Sequence, residues 1–279
     1  MPKTFSPLRY PGGKSKLYDF VLAILKENNL LGQTYFEPFA GGAGLALKLL
    51  LKDQVRRIII NDYDHSIYAF WYSILNYTEE FCEKIKITDV TLDEWDKQKE
   101  IYNSHNCNTF EQGFSTFFLN RTNRSGVIKG GMIGGRSQDG DYLINARYNK
   151  EDLISKIKSI ADKKNQIILT NMDAKELIES DFLNHYYKLL INFDPPYVIK
   201  GSQLYKNSFT ENDHRELYKA ISKCKRKWIV TYDICPLITE LYSNFRSNKI
   251  DIQYTVNKNL KAKEYVFYSN NLILPKELL

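Results

Sequence analysis

Several kinds of protein are excluded by what this 279-residue chain does not contain. It has four cysteines, Cys82, Cys107, Cys224 and Cys235, and no two stand in a Cys-x-x-Cys pair. That removes the spacing of a zinc site or a thioredoxin-like redox centre. The four histidines (65, 105, 185 and 214) show no metal-ligand spacing either, so no metal is expected. No apolar run approaches the ~20 residues needed to cross a bilayer. The opening Met1-Pro-Lys-Thr-Phe-Ser lacks the apolar stretch of a signal peptide. These absences together describe a reduced, cytoplasmic protein.

Two nucleotide-binding fingerprints are also missing. The dinucleotide pattern Gly-x-Gly-x-x-Gly does not occur. Gly13-Lys14-Ser15 ends like a P-loop, but Leu8 stands where that loop needs its first glycine. No strand pattern precedes it.

What is present is an ordinary globular composition, 43% hydrophobic, with a formal net charge of +6. The length allows one large domain, or a domain with a sizeable insertion. The positive balance suits a polyanionic partner without requiring one. Twenty tyrosines and 15 phenylalanines supply many rings, most of them destined for the core.

Hydrophobic periodicity divides the chain into alternating elements. Residues 14–29 read as a helix, Thr34–Phe39 as a strand, and Gly41–Leu51 as a buried helix. Arg57–Asn61 is a second strand, ending at Asp62, and residues 63–77 are helical in pattern. Gln166–Thr170, Lys188–Phe193 and Lys227–Tyr232 are further strands, with a helix over 211–225. Ile250–Val256 and Tyr265–Tyr268 close the series. Strands alternating with helices imply an α/β sheet covered on both faces. Residues 78–160 interrupt that rhythm: first helical and polar, then aromatic, then a glycine-rich loop from Gly126 to Gly140. They read as an insertion between two strands of the sheet.

The most informative residues are Asp194-Pro195-Pro196-Tyr197, directly after the apolar strand Lys188–Phe193. The carboxylate of Asp194 can accept one N–H of a planar amine. Pro195, which has no N–H and a fixed backbone angle, offers a rigid carbonyl for the second. Tyr197 offers a flat ring for a base. An amino group gripped in this way loses conjugation with its ring, and its lone pair becomes free to attack a methyl donor. The plain alternative is a proline-stiffened exit from a strand.

Upstream, Phe36-Glu-Pro-Phe-Ala-Gly-Gly-Ala-Gly44 lies between a strand and a helix, where glycines permit a tight bend and close approach to a ligand. Asp62 ends the next strand, a position suited to hydrogen-bonding ribose hydroxyls. Asn171-Met172-Asp173 follows another strand, where Asp173 can cap a helix over 174–180 or lie near a bound ring. In the insertion, Asn120, Arg121, Asn123, Arg124 and Ser125 lead into Lys129 and Arg136, with Asn145, Arg147 and Asn149 beyond. Arginine can bind guanine edges and asparagine adenine edges. The same residues can also serve as phosphate contacts or as a solvated loop.

In this order these motifs resemble the Dam-like (α-class, D12 type) DNA adenine N6-methyltransferases, and the resemblance covers nearly the whole chain. It implies a Rossmann-like methyltransferase sheet over 1–77 and 161–279, with a mainly helical target-recognition insertion over 78–160. It implies S-adenosyl-L-methionine as donor, with cofactor contacts at Tyr10, Lys14, Phe36, Pro38, Gly41, Gly42, Gly44, Asp62, Asp173 and Asp194. Tyr10 and Lys14 come from Leu8-Arg-Tyr-Pro-Gly-Gly-Lys14, similar to the family's segment for the amino-acid end of the donor. Asp194, Pro195, Pro196 and Tyr197 take the catalytic positions, acting on an adenine flipped out of duplex DNA. Asn120, Arg121, Asn123, Arg124, Ser125, Lys129 and Arg136 take the DNA-binding positions. Arg124-Ser125 departs from the aromatic–Asn pair of GATC-reading members, and Lys129 stands where they usually place arginine. GATC is therefore an expectation that this chain's own loop puts in question. Cytosine N4 methylation can use the same acceptors, and a silent DNA-binding fold is the alternative from another class. A cognate restriction endonuclease and monomeric action complete the expectations.

Overall fold

The computed structural model describes residues 4–9, 17–104, 106–199, 209–254 and 260–276. They fall into two compact units. One takes in the described residues of 1–11 and 65–165, the other those of 12–64 and 166–279.

The larger unit is built on a seven-stranded sheet. Helix α1 (Tyr18–Glu27) leads to β1 (Thr34–Glu37), α2 (Gly44–Leu51) and β2 (Arg57–Asn61). After the other unit come β3 (Ile167–Thr170), α8 (Ala174–Glu179), β4 (Leu189–Phe193), α9 (Glu211–Lys223), β5 (Lys227–Asp233), α10 (Pro236–Leu241), β6 (Arg246–Tyr254) and β7 (Leu260–Tyr268). Strand order is β3-β2-β1-β4-β5-β7-β6. The pairs β3–β2, β2–β1, β1–β4 and β4–β5 are parallel, while β7 runs antiparallel to both β5 and β6.

Burial explains the strand sequences. Every residue of β1 and of β4 is buried, as expected for parallel strands covered on both faces. Phe36, Ile59, Ile191, Phe193, Trp228 and Val230 share one core cluster. The edge hairpin starts earlier than periodicity indicated, at Arg246 and Leu260. The early part of β6 is Arg-Ser-Asn-Lys, an edge strand whose polar side chains hide the alternation. Arg246 there donates to the carbonyl of Leu272 at 2.6 Å.

This topology fixes the place of a site. From β1 the chain steps outward to β2 and β3, then returns to place β4 on the other side of β1. The crevice between the carboxyl ends of β1 and β4 is a switch point, where open α/β sheets bind ligands. The register puts Phe36 beside Ile191, so the loops after Glu37 and after Phe193 leave the sheet as neighbours.

The other unit is helical: α3 (His65–Asn76), α4 (Thr78–Ile87), α5 (Leu92–Asn103), α6 (Thr109–Thr122) and α7 (Lys150–Ala161). Its core is aromatic. Phe70, Phe81, Phe114, Phe117 and Phe118 are fully buried, with the rings of Phe70 and Phe117 stacked at 5.9 Å. Gly113 allows α6 to cross α3 closely, since a Cβ there would lie 2.4 Å from the Ala69 carbonyl oxygen.

Candidate functional site

Four strand ends in the sheet unit carry the polar groups. At the end of β2, Asp62 Oδ2 accepts the Gly41 amide at 2.8 Å and Oδ1 accepts the Asp64 amide at 3.0 Å. The acid therefore clasps the glycine loop after β1 and retains lone pairs for hydroxyl donors. Burial pushes its carboxyl up to about 7, against the opposing pull of these two amides. The preceding Asn61 is fully buried and ties the loops after β1 and β3 to the end of β2. Its amide nitrogen donates to the carbonyls of Pro38 and Met172, and its oxygen accepts from Thr170 and from the Met172 amide.

At the end of β1, Glu37 accepts the Ala46 amide of α2 at 3.1 Å. Ala43, at φ +46°, supplies no side-chain cap to that helix, so Glu37 does so from the strand. Its carboxyl is raised to about 8, first by burial and also by Asp194, while Tyr35 and the Ala46 amide pull it down. Gly41 also takes a positive φ of 46° at this bend.

At the end of β4 stands Asp194. Its Oδ1 accepts the Thr231 hydroxyl at 2.8 Å and faces the Tyr197 hydroxyl at 3.4 Å. Pro195 is buried and Tyr197 only 8% exposed. Behind the motif, Asp233 at the end of β5 accepts the amides of Val198 at 3.2 Å and Ile199 at 2.8 Å.

The sheet unit thus brings together Pro38, Gly41, Gly42, Asp62 and Asp194, while Asp173 caps α8 through the Lys175 amide at 2.8 Å. Phe36 is fully buried in the core cluster, so it supports the loop from beneath and offers no face to a ligand. Tyr10 and Lys14 lie outside the described residues. Sequence reasoning overlooked Glu37, Asn61, Thr231 and Asp233. A signal existed for Asp233, which is another acid ending an apolar strand, as Asp62 and Asp194 are.

In the helical unit the expected DNA-contact residues separate into two groups. Asn120 and Asn123 are fully buried. Asn120 accepts the Arg9 amide at 2.7 Å and donates to the carbonyls of Arg9 and Gly126, both at 2.8 Å. Asn123 accepts from the Trp95 indole at 2.7 Å and donates to the carbonyls of Val127 and Ile128. Both amides thus hold backbone or core groups. Arg121 donates to the Arg147 carbonyl, and burial lowers its guanidinium to about 10, helped by the charge of Arg9. Gly126, at φ +77°, has no room for a Cβ, which would sit 2.3 Å from the Arg9 carbonyl oxygen. Arg124 and Lys129 are exposed, and Ser125 sits between at φ +57°. Arg136 is exposed too, forked onto Asp96 at 2.6 and 2.8 Å.

The chain is similar to known methyltransferases. It is 23% identical, over 93% of its length and 96% of the relative's, to the Type II methyltransferase M.MjaIII of Methanocaldococcus jannaschii. Among solved structures it is similar to PH1948 of Pyrococcus horikoshii, at 9% identity and a TM-score of 0.43, covering 95% of this chain and 87% of that one. It is also similar to the rRNA methyltransferase AviRa of Streptomyces viridochromogenes, at 12% identity and a TM-score of 0.38, covering 92% and 85%. Structural likenesses this remote carry no argument about substrate. Residues 10–256, most of the chain, match the D12 class N6 adenine-specific DNA methyltransferases, and the chain belongs to that family.

Proposed function

We propose that this enzyme methylates N6 of an adenine flipped out of duplex DNA at one short recognition sequence, using S-adenosyl-L-methionine. The observation that carries the reading is the placement of Asp194-Pro-Pro-Tyr197 at the switch point between β1 and β4, beside the glycine loop that Asp62 clasps. The donor fits this chemistry. Asp62 is held by two backbone amides with acceptor capacity left for ribose hydroxyls, and Gly41, Gly42 and Gly44 form the bend beside it. When bound, the sulfonium donor supplies an electrophilic methyl group. Tyr10 and Lys14 would hold its amino-acid end, and Asp173 would serve its adenine end.

Asp194 and the Pro195 carbonyl orient the target amino group by accepting its two N–H bonds. Developing positive charge on that nitrogen is then met by a carboxylate already in place, so positioning and electrostatics supply the catalysis. Tyr197 stacks on the flipped base, whose extraction costs a few kcal/mol of stacking and pairing. Residues 78–160 carry target recognition. Arg124, Ser125, Lys129 and Arg136 meet the DNA, while Asn120, Arg121 and Asn123 hold the loop that presents them. GATC is the first sequence to try. The archaeal relative is a Type II methyltransferase, and on that likeness we place the chain with a cognate restriction endonuclease. Among the described residues no helix is long and apolar enough to cross a membrane, and we assign monomeric action in the cytoplasm.

The test uses the purified enzyme, labelled donor and duplex oligonucleotides carrying GATC or its permutations. Nucleoside analysis is expected to show N6-methyladenine in one sequence only. Label in N4-methylcytosine would retain the site and overturn the substrate.

A further inference from the structure

The catalytic motif cannot anchor itself. Pro195 and Pro196 have no amide proton, so the parallel ladder between β4 and β5 has no donor to use at those two positions. The pairing ends at Phe193 opposite Val230. From there the side chains of β5 take over. Thr231 and Asp233 are two residues apart, so they project on one face of the strand. Thr231 is fully buried, and its hydroxyl donates to Asp194 Oδ1 at 2.8 Å, in front of the prolines. Asp233, 7% exposed, receives the Val198 and Ile199 amides at 3.2 and 2.8 Å, behind them. One strand therefore grips both ends of the motif, and Tyr197 lies between the two grips.

We infer that Thr231 and Asp233 are positioning residues for methyl transfer: Thr231 fixes the rotation of the Asp194 carboxylate, and Asp233 fixes the backbone that presents the Tyr197 ring. This rests on the reading of Asp194 as the acceptor of the target amine. The hydroxyl of Thr231 also stabilises the ionised form of that acceptor, because it donates to a carboxylate oxygen. Glu37 and the Tyr35 phenol are the other titratable groups that bear on Asp194 from β1, the Tyr232 phenol bears on it from β5, and the Tyr197 phenol faces it from its own segment. The Thr231 substitutions leave every one of these groups chemically in place.

The experiment compares wild type with Thr231→Val, Thr231→Ser and Asp233→Asn. Single-turnover methylation, donor affinity by calorimetry, and the pH profile are measured for each. Thr231→Val keeps the volume and removes the donor, so the rate should fall ~10- to 100-fold with donor affinity within about twofold. The acid limb of its profile should move to higher pH, and Thr231→Ser should restore both. A Thr231→Val rate equal to wild type, or a loss that Thr231→Ser fails to restore, would overturn the role of Thr231. Asp233→Asn retains one acceptor oxygen and turns an amide towards the second N–H, so exchange of the Val198 and Ile199 amide protons should rise at least ~10-fold. That measurement needs no substrate. Unchanged exchange would overturn the anchor even if wild type failed to methylate adenine, and such inactivity would count against the proposed function separately.

Discussion

The strand ends of the sheet unit and the loop of the helical unit use polar side chains in opposite ways. At the strand ends, acids clasp neighbouring backbone and keep acceptor capacity: Asp62 on Gly41 and Asp64, Asp233 on Val198 and Ile199. At the end of α6, the buried amides of Asn120, in its last turn, and Asn123, its C-cap, are engaged by backbone and by the Trp95 indole. The first arrangement leaves chemistry available on a rigid sheet. The second gives up the asparagines to hold a loop with no ladder of its own, and leaves Arg124 and Lys129 exposed. Chemistry and shape are therefore separable at Asp194, whose carboxylate accepts side-chain hydroxyls, and inseparable at Asn120 and Asn123.

Mutations can break that contrast. The largest effect belongs to Asp194→Ala, which should reduce methyl transfer by at least ~10³-fold through loss of the amine acceptor. Its thermal unfolding should stay near wild type, and half the wild-type rate would refute the assignment. Tyr197→Phe should be milder than Tyr197→Ala, because stacking uses the ring face. In the loop the order reverses. Asn120→Ala removes three hydrogen bonds from a buried position and should cost about 3 kcal/mol of stability. Urea unfolding of the full chain reads this, with DNA binding lost in parallel; a stable variant with weak DNA binding would make Asn120 a reader after all.

A further change concerns Glu37, whose carboxyl is pushed up to about 8 by burial. Between its ordinary value and 8 the unfolded chain ionises this group while the folded chain keeps the proton. The linkage therefore removes stability as pH rises through that window. Glu37→Gln keeps an acceptor for Ala46 and abolishes the titration. Its melting temperature should gain on wild type steadily from about pH 5 to pH 8 and run parallel above, given this linkage. A difference independent of pH would contradict the buried neutral acid. The smallest structural effect is expected for Arg136→Ala. Its ion pair with Asp96 is exposed, so thermal stability should not change measurably. If Arg136 meets a phosphate, the salt dependence of DNA binding should flatten by ~0.9 in slope.

The contrast also explains what was legible in the sequence. The parallel strands were readable because burial on both faces makes them continuous apolar runs, as in Arg57–Asn61 and Leu189–Phe193. Glycines, prolines and acids following such runs marked the strand-end loops. The start of β6 was not readable, since an edge strand can carry Arg-Ser-Asn-Lys without loss. The alliance of Arg9 with Asn120, 111 positions apart, left no local trace. An asparagine that binds a base and one that binds backbone are the same letter, and only burial separates them. Phe36 shows the same limit, because its place in the donor motif did not reveal that its ring belongs to the core.

The central claim is that Asp194 and its neighbours act on an adenine in one short DNA sequence. The most direct measurement is single-molecule sequencing of plasmid DNA from a methylation-free host expressing wild type or Asp194→Ala. The expected result is N6-methyladenine at a single motif with wild type and none with the variant. An unmodified plasmid in the presence of folded wild type, or the same mark with Asp194→Ala, would contradict it.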